Sequence, residues 1–114
     1  CTAGGLAVLA HLPDQQIADI FGRSDRTPFT PETMTSLEQV MKAVERARHC
    51  GHALVTGQIL RHEIAMGVAI LDTASHPIGA IHLAGSLDEH SPEEFEAKFG
   101  SLLQQAGTSI SVFG

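Results

Sequence analysis

The chain has 114 residues, 43% hydrophobic and 18% charged, with a net charge of −6 and neither Trp nor Tyr. This suits one ordinary globular domain, which buries roughly 65% of the surface its unfolded chain exposes. A phosphate-tracking surface needs clustered Lys and Arg, so the acidic balance argues against direct nucleic-acid binding by this segment.

The opening stretch, CTAGGLAVLA, has no basic flank and no initiator Met. It is a poor signal peptide, and the expectation is one domain over residues 1–114, incomplete at its N-terminal side. Thr2 to His11 carries Ala3, Leu6, Ala7, Leu9 and Ala10 at helical spacing, opened by Gly4-Gly5. Two glycines at a helix start suit either an anion held by free N–H groups or close packing on a sheet. Pro13-Asp14 starts a second helix with Ile17, Ile20 and Phe21 inward, and Gly22 is placed to stop it. Arg23 to Pro31 reads as a loop.

Thr35-Ser36-Leu37-Glu38 fits a capping box with Thr35 as the cap. The helix behind it presents Leu37, Val40, Met41, Val44 and Ala47 on one face, and Gly51 closes it. Its Lys42, Arg46 and Arg48, with Glu45 among them, read as a solvated face. Ala53 to Thr56 is a short strand, and Gly57 to His62 is ambiguous.

Glu63 to Ser86 predicts a β-hairpin around the turn signal DTASHP. Alternation puts Ile64, Met66, Val68 and Ile70 on one side of the first strand, and Ala65, Gly67, Ala69 and Leu71 on the other. In the second strand Ile78, Ala80, His82 and Ala84 oppose Gly79, Ile81, Leu83 and Gly85. The bulky side packs a core. The small side, with one His, leaves room for a close helix or a small ligand. Leu87 to His90 is a turn, and Ser91-Pro92-Glu93-Glu94 is a second capping box. The last helix carries Phe95, Phe99, Leu102, Leu103, Ala106 and Ile110. The order predicts an α+β fold, an antiparallel sheet with helices packed around it. Three strands make a small sheet, so further strands are expected from upstream sequence.

Two cysteines, Cys1 and Cys50, suggest no disulfide framework and a reducing cytoplasm. The longest strongly apolar run, Ile64 to Leu71, falls far short of the ~20 residues a membrane span needs. His49-Cys50-Gly51-His52 gathers three metal-ligand types, but without a second cluster it reads as a helix terminus. Arg61-His62-Glu63 reads as an exposed strand edge rather than an acid–base or metal group. Cys50 as a nucleophile would take His49 or His52 as its base; a quiet core thiol is the alternative. No phosphate loop, G-x-S-x-G elbow or H-E-x-x-H helix is present. His82, mid-strand between Ala80 and Ala84, is the sharpest candidate, either a donor to a bound anion or a core His bonded to backbone.

The segments GGLAVLAHLPDQQI, TPFTPETMTSLEQVMKAVERARHCGHAL and GVAILDTASHPIGAIHLAGS, with a closing SISVFG, resemble in order and spacing the effector-binding domain of IclR-type transcriptional regulators. The resemblance covers nearly the whole chain. It implies a profilin- or GAF-like fold and an upstream winged helix-turn-helix that binds operator DNA. It implies a homo-oligomer, a dimer or tetramer, in the cytoplasm. It also implies a small-molecule effector, usually carboxylate-bearing, that alters the oligomer arrangement, with no catalysis, metal or cofactor.

By position, the resemblance places effector contacts at Ala3, Gly4, Gly5, Val55, Ala65, His82 and Ala84. Family members often carry an acidic residue where Val55 stands, a cysteine at Ala65, and small hydroxyl residues at His82 and Ala84. The pocket here is thus expected to be less polar. Either the ligand is more apolar, or His82 and the Gly4-Gly5 amides carry its anionic group. Two alternatives stand beside a sensor: a ligand-free oligomerisation module, and a GAF-like thiol enzyme using Cys50.

Overall fold

The computed structural model describes residues 2–24, 30, 33–58 and 60–111. The expected loop after Arg23, Cys1 and the end of the closing segment fall largely outside these residues. Four helices and three strands follow in chain order: α1 (Ala3–Leu9), α2 (Asp14–Arg23), α3 (Leu37–Cys50), β1 (Ala53–Thr56), β2 (Glu63–Leu71), β3 (Pro77–Ser86) and α4 (Pro92–Ser111). The strands form an antiparallel sheet in the order β1-β2-β3. The chain is α+β, as its sequence predicts.

Alternation divides the sheet into its two faces. Ile64, Met66 and Val68 point to one side and bury against Phe95 and Leu103 of α4. Ala53, Val55 and Ala65 point to the other and join Ala3, Leu6 and Ala7 of α1, Ile17 of α2, and Val40, Val44 and Ala47 of α3. The sheet is therefore a middle layer with helices on both faces, and each face has its own apolar cluster.

Local chemistry sets the ends of these elements. Thr2 caps α1, its hydroxyl accepting from Gly5 N–H at 3.0 Å. Gly51 ends α3 with φ of 83°, a left-handed conformation that favours glycine. The hairpin turn is closed by Asp72, whose carboxylate accepts from the Ala74 and His76 N–H groups, each at 2.9 Å. These bonds, His76 first, hold the Asp72 carboxyl below the usual carboxylate range. The second capping box forms as expected between Ser91 and Glu94.

Several expectations need correction. The capping box of α3 uses Ser36 and Gln39, one residue later than Thr35 and Glu38. Gly22 lies inside α2, which ends at Ser24. Leu102 and Ile110 of α4 are 63% and 47% exposed, so they face away from the sheet. The basic residues of α3 do more than meet solvent. Arg48 donates to the Ala10 and Leu12 carbonyls and pairs with Asp14, clamping the α1–α2 turn. Arg46 reaches Glu96 on α4 at 3.3 Å.

Candidate functional site

The small-residue face packs closely on α1 at one point and leaves open space beside it. Over Gly67 the first turn of α1 comes so close that an added Cβ would lie 2.6 Å from the Ala3 carbonyl carbon and oxygen. No L side chain fits there without shifting backbone. Beside that crossing the helix and sheet diverge, and a cavity of about 290 Å³ opens. That is near the lower end of small-ligand sites.

Strand register positions its floor. Ala65 faces Ala84 and Gly67 faces His82 across β2 and β3, while Val55 of β1 pairs with Ala65. Because these residues share one face, Val55, Ala65, His82 and Ala84 line the cavity together, with Ala3 from α1 above them. Five of the seven positions singled out in the sequence thus converge. Gly4 and Gly5 are not among the lining residues. Gly5 N–H is already donated to Thr2, and Gly4 packs toward Ala80. The amide anion cradle is therefore weakened as a reading of the Gly4-Gly5 pair.

Three further residues line the cavity: Thr2, Gln58 and Glu63. Gln58 is a buried brace. Its side-chain oxygen accepts from Met34 N–H at 2.8 Å, its amide donates to the Thr56 carbonyl, and its own carbonyl accepts from the Thr33 hydroxyl. Thr30 donates to the adjoining Gly57 carbonyl. These bonds tie the segment before α3 to the end of β1 and form one wall. Glu63 was read as part of an exposed edge with Arg61 and His62. Those two are exposed, but Glu63 is half-buried at the start of β2 and turns into the cavity. The signal was in the alternation: Glu63 shares parity with Ala65 and Gly67.

His82 is exposed at the cavity and its ring makes no hydrogen bond to any described residue, so it is not a core histidine bonded to backbone. The Glu63 side chain likewise has no hydrogen-bond or ion-pair partner among the described residues. Among the described residues, no Lys or Arg lines the space.

A second cavity of similar volume lies at the other end of α1, near Ala47, Arg48 and His52. Two of its polar groups are already engaged, while the His11 side chain there has no partner among the described residues. Arg48 is committed to the α1–α2 turn, and His52 to α4. The His52 ring is 8% exposed, with Nε2 2.6 Å from Glu96 Oε2 and Nδ1 2.8 Å from the Gln104 amide nitrogen. That amide nitrogen also donates to the Cys50 carbonyl at 3.1 Å. With Gln104 donating to Nδ1, the ring proton sits on Nε2 and is donated to Glu96. The hydrogen bond from His52, aided by the charge of Arg46 and opposed by burial, holds the Glu96 carboxyl below the usual range.

Both ring nitrogens of His52 are thus occupied, and it cannot serve Cys50 as a base in this arrangement. Cys50 is half-buried with a free thiol. No group of three metal-ligating side chains gathers among the described residues. The first cavity, with an apolar floor and two partnerless polar side chains, is suited to binding a small molecule rather than to transforming one.

A family model described as "Bacterial transcriptional regulator IclR C-terminal" matches residues 1–112. The chain is 24% identical over 110 residues to the HTH-type transcriptional repressor AllR of Klebsiella pneumoniae, covering 96% of this chain and 40% of that protein. Among solved structures it is similar to the C-terminal domain of the E. coli regulator KdgR, with a TM-score of 0.89 and 21% identity, over 97% of this chain and 67% of that one. It is also similar to the inducer-binding domain of Acinetobacter PobR, solved as a double mutant with 3-hydroxybenzoic acid, with a TM-score of 0.85 and 18% identity over 96% and 65%. At these identities the structural likenesses establish the fold.

Proposed function

This chain belongs to the IclR family of bacterial transcriptional regulators, and we propose that its cavity beneath α1 is the sensing site for a small organic acid. It spans about 40% of the length of the curated relatives it matches. The proposed whole is a cytoplasmic homo-oligomeric regulator in which residues 1–114 form part of the effector-binding domain. Operator DNA is bound through a winged helix-turn-helix elsewhere in the protein.

The observation that carries this reading is the convergence of Ala3, Val55, Ala65, His82 and Ala84 on one cavity with unsatisfied polar groups. The small side chains make the space, and His82 offers a donor for the acid. PobR supports the chemistry by analogy, since its inducer-binding domain was solved with an aromatic hydroxy acid. Among the described residues no helix is long and apolar enough to cross a membrane.

The ligand acts by population shift. It binds one oligomer arrangement better than the other, and operator affinity changes by that difference. The test is operator binding by the full-length protein, titrated with a panel of small organic acids, beside an Ala84→Leu variant that fills the floor. The reading expects an acid that changes operator affinity in the wild type and not in the variant. A ligand-free oligomerisation module predicts that no acid has an effect and that Ala84→Leu binds operator as the wild type does.

A further inference from the structure

The sensing cavity has two chemically different ends. Three register rows cross its floor: Glu63 opposite Ser86, Ala65 opposite Ala84, and Gly67 opposite His82. Successive rows lie about 7 Å apart along the strands, so the two ends are separated by about 13 Å at the backbone. The Glu63 and His82 side chains both line the cavity, one toward each end. Between them the floor is the methyl groups of Ala65 and Ala84.

The charge pattern then limits what fits. Glu63 brings a carboxylate into a half-buried site, and among the described residues no Lys or Arg answers it and its side chain has no partner. A dicarboxylate would set like charges against each other at that end. A simple fatty or aromatic acid would cover the Glu63 carboxylate with apolar atoms and strip its water without replacement. An ammonium group does neither, because it forms a charge-assisted hydrogen bond with the carboxylate.

We propose that the effector is a zwitterion, a short amino acid whose ammonium group pairs with Glu63 and whose carboxylate lies toward His82. This rests on the sensing reading above and narrows its ligand class.

The experiment is calorimetric titration of the full-length protein with three series of matched chain length: ω-amino acids, dicarboxylates and monocarboxylates. Each is repeated on Glu63→Gln and Glu63→Asp, whose melting temperatures without ligand confirm folding. An ω-amino acid is expected to bind at least about tenfold more tightly than the dicarboxylate and monocarboxylate of its length. Glu63→Gln should weaken it by about tenfold or more and narrow its advantage over the dicarboxylate, whereas Glu63→Asp should retain more of the affinity. Tighter binding of a dicarboxylate or monocarboxylate, indifferent to Glu63→Gln, overturns the zwitterion while leaving a sensor. Absence of binding by all three series overturns the zwitterion, and the operator titration above decides the sensor.

Discussion

At Gly67 the lack of a side chain decides how close a helix can lie to the sheet. The neighbours that an added Cβ would meet are the Ala3 carbonyl and the Gly4 nitrogen, which are backbone and cannot rotate aside. Gly67→Ala is therefore expected to lower stability by about 1–3 kcal/mol, read by urea unfolding, because α1 must lift. The His52–Glu96 pair makes a second residue-scale prediction. A carboxyl whose folded pKa is depressed adds stability that is fully present above its ordinary value and is lost as pH falls through the folded value. The wild type should thus lose stability below the ordinary carboxylate range, and Glu96→Gln should show a flatter profile there, measured by unfolding across acid pH. His52→Ala should cost about 1–3 kcal/mol, since it removes a buried ring that bonds the half-buried Glu96 and Gln104 of α4. Ala65, His82 and Ala84 were legible in the sequence because strand alternation and the family resemblance agreed on them, and Val55 through the resemblance alone. Glu63 was hidden by its neighbours: beside Arg61 and His62 it looked like surface, and only its parity with Ala65 placed it inside.

At the scale of elements, caps and periodicity locate the segments better than they fix their phase. Thr35 with Glu38 and Ser36 with Gln39 are overlapping frames of one capping pattern. The chain uses Ser36, whose hydroxyl accepts from Gln39 N–H at 3.2 Å. Ser36→Ala should cost about 1 kcal/mol in thermal unfolding, while Glu38→Ala should cost less. Glu38 meets only Lys42, in an exposed pair. In α4 the inner row is Phe95, Phe99, Leu103 and Gly107, spaced by four. Leu102, Ala106 and Ile110 form a neighbouring row rotated by about one residue, or about 100°. Both rows are apolar, so composition could not say which one meets the sheet. The crossing does, because Gly107 lies against Val68 and leaves no room for a larger residue.

At the scale of the whole molecule, three layers leave a gap beneath α1 where Glu63 and His82 have no side-chain partner among the described residues. The α+β class was readable because the period changes from helical to two and back again along the chain. Where α1 touches the sheet and where it parts from it was not readable, because that depends on a close approach of two backbones distant in sequence. The account's central claim is that the gap beneath α1, and not the similar cavity near His52, receives the effector. The most direct test is methyl NMR of the protein with labelled Ala and Val, titrated with the acid that alters operator binding. The account predicts shifts at Ala3, Val55, Ala65 and Ala84, with Ala7, Ala10 and Ala47 unmoved. Shifts confined to those last three, or to neither set, would contradict it.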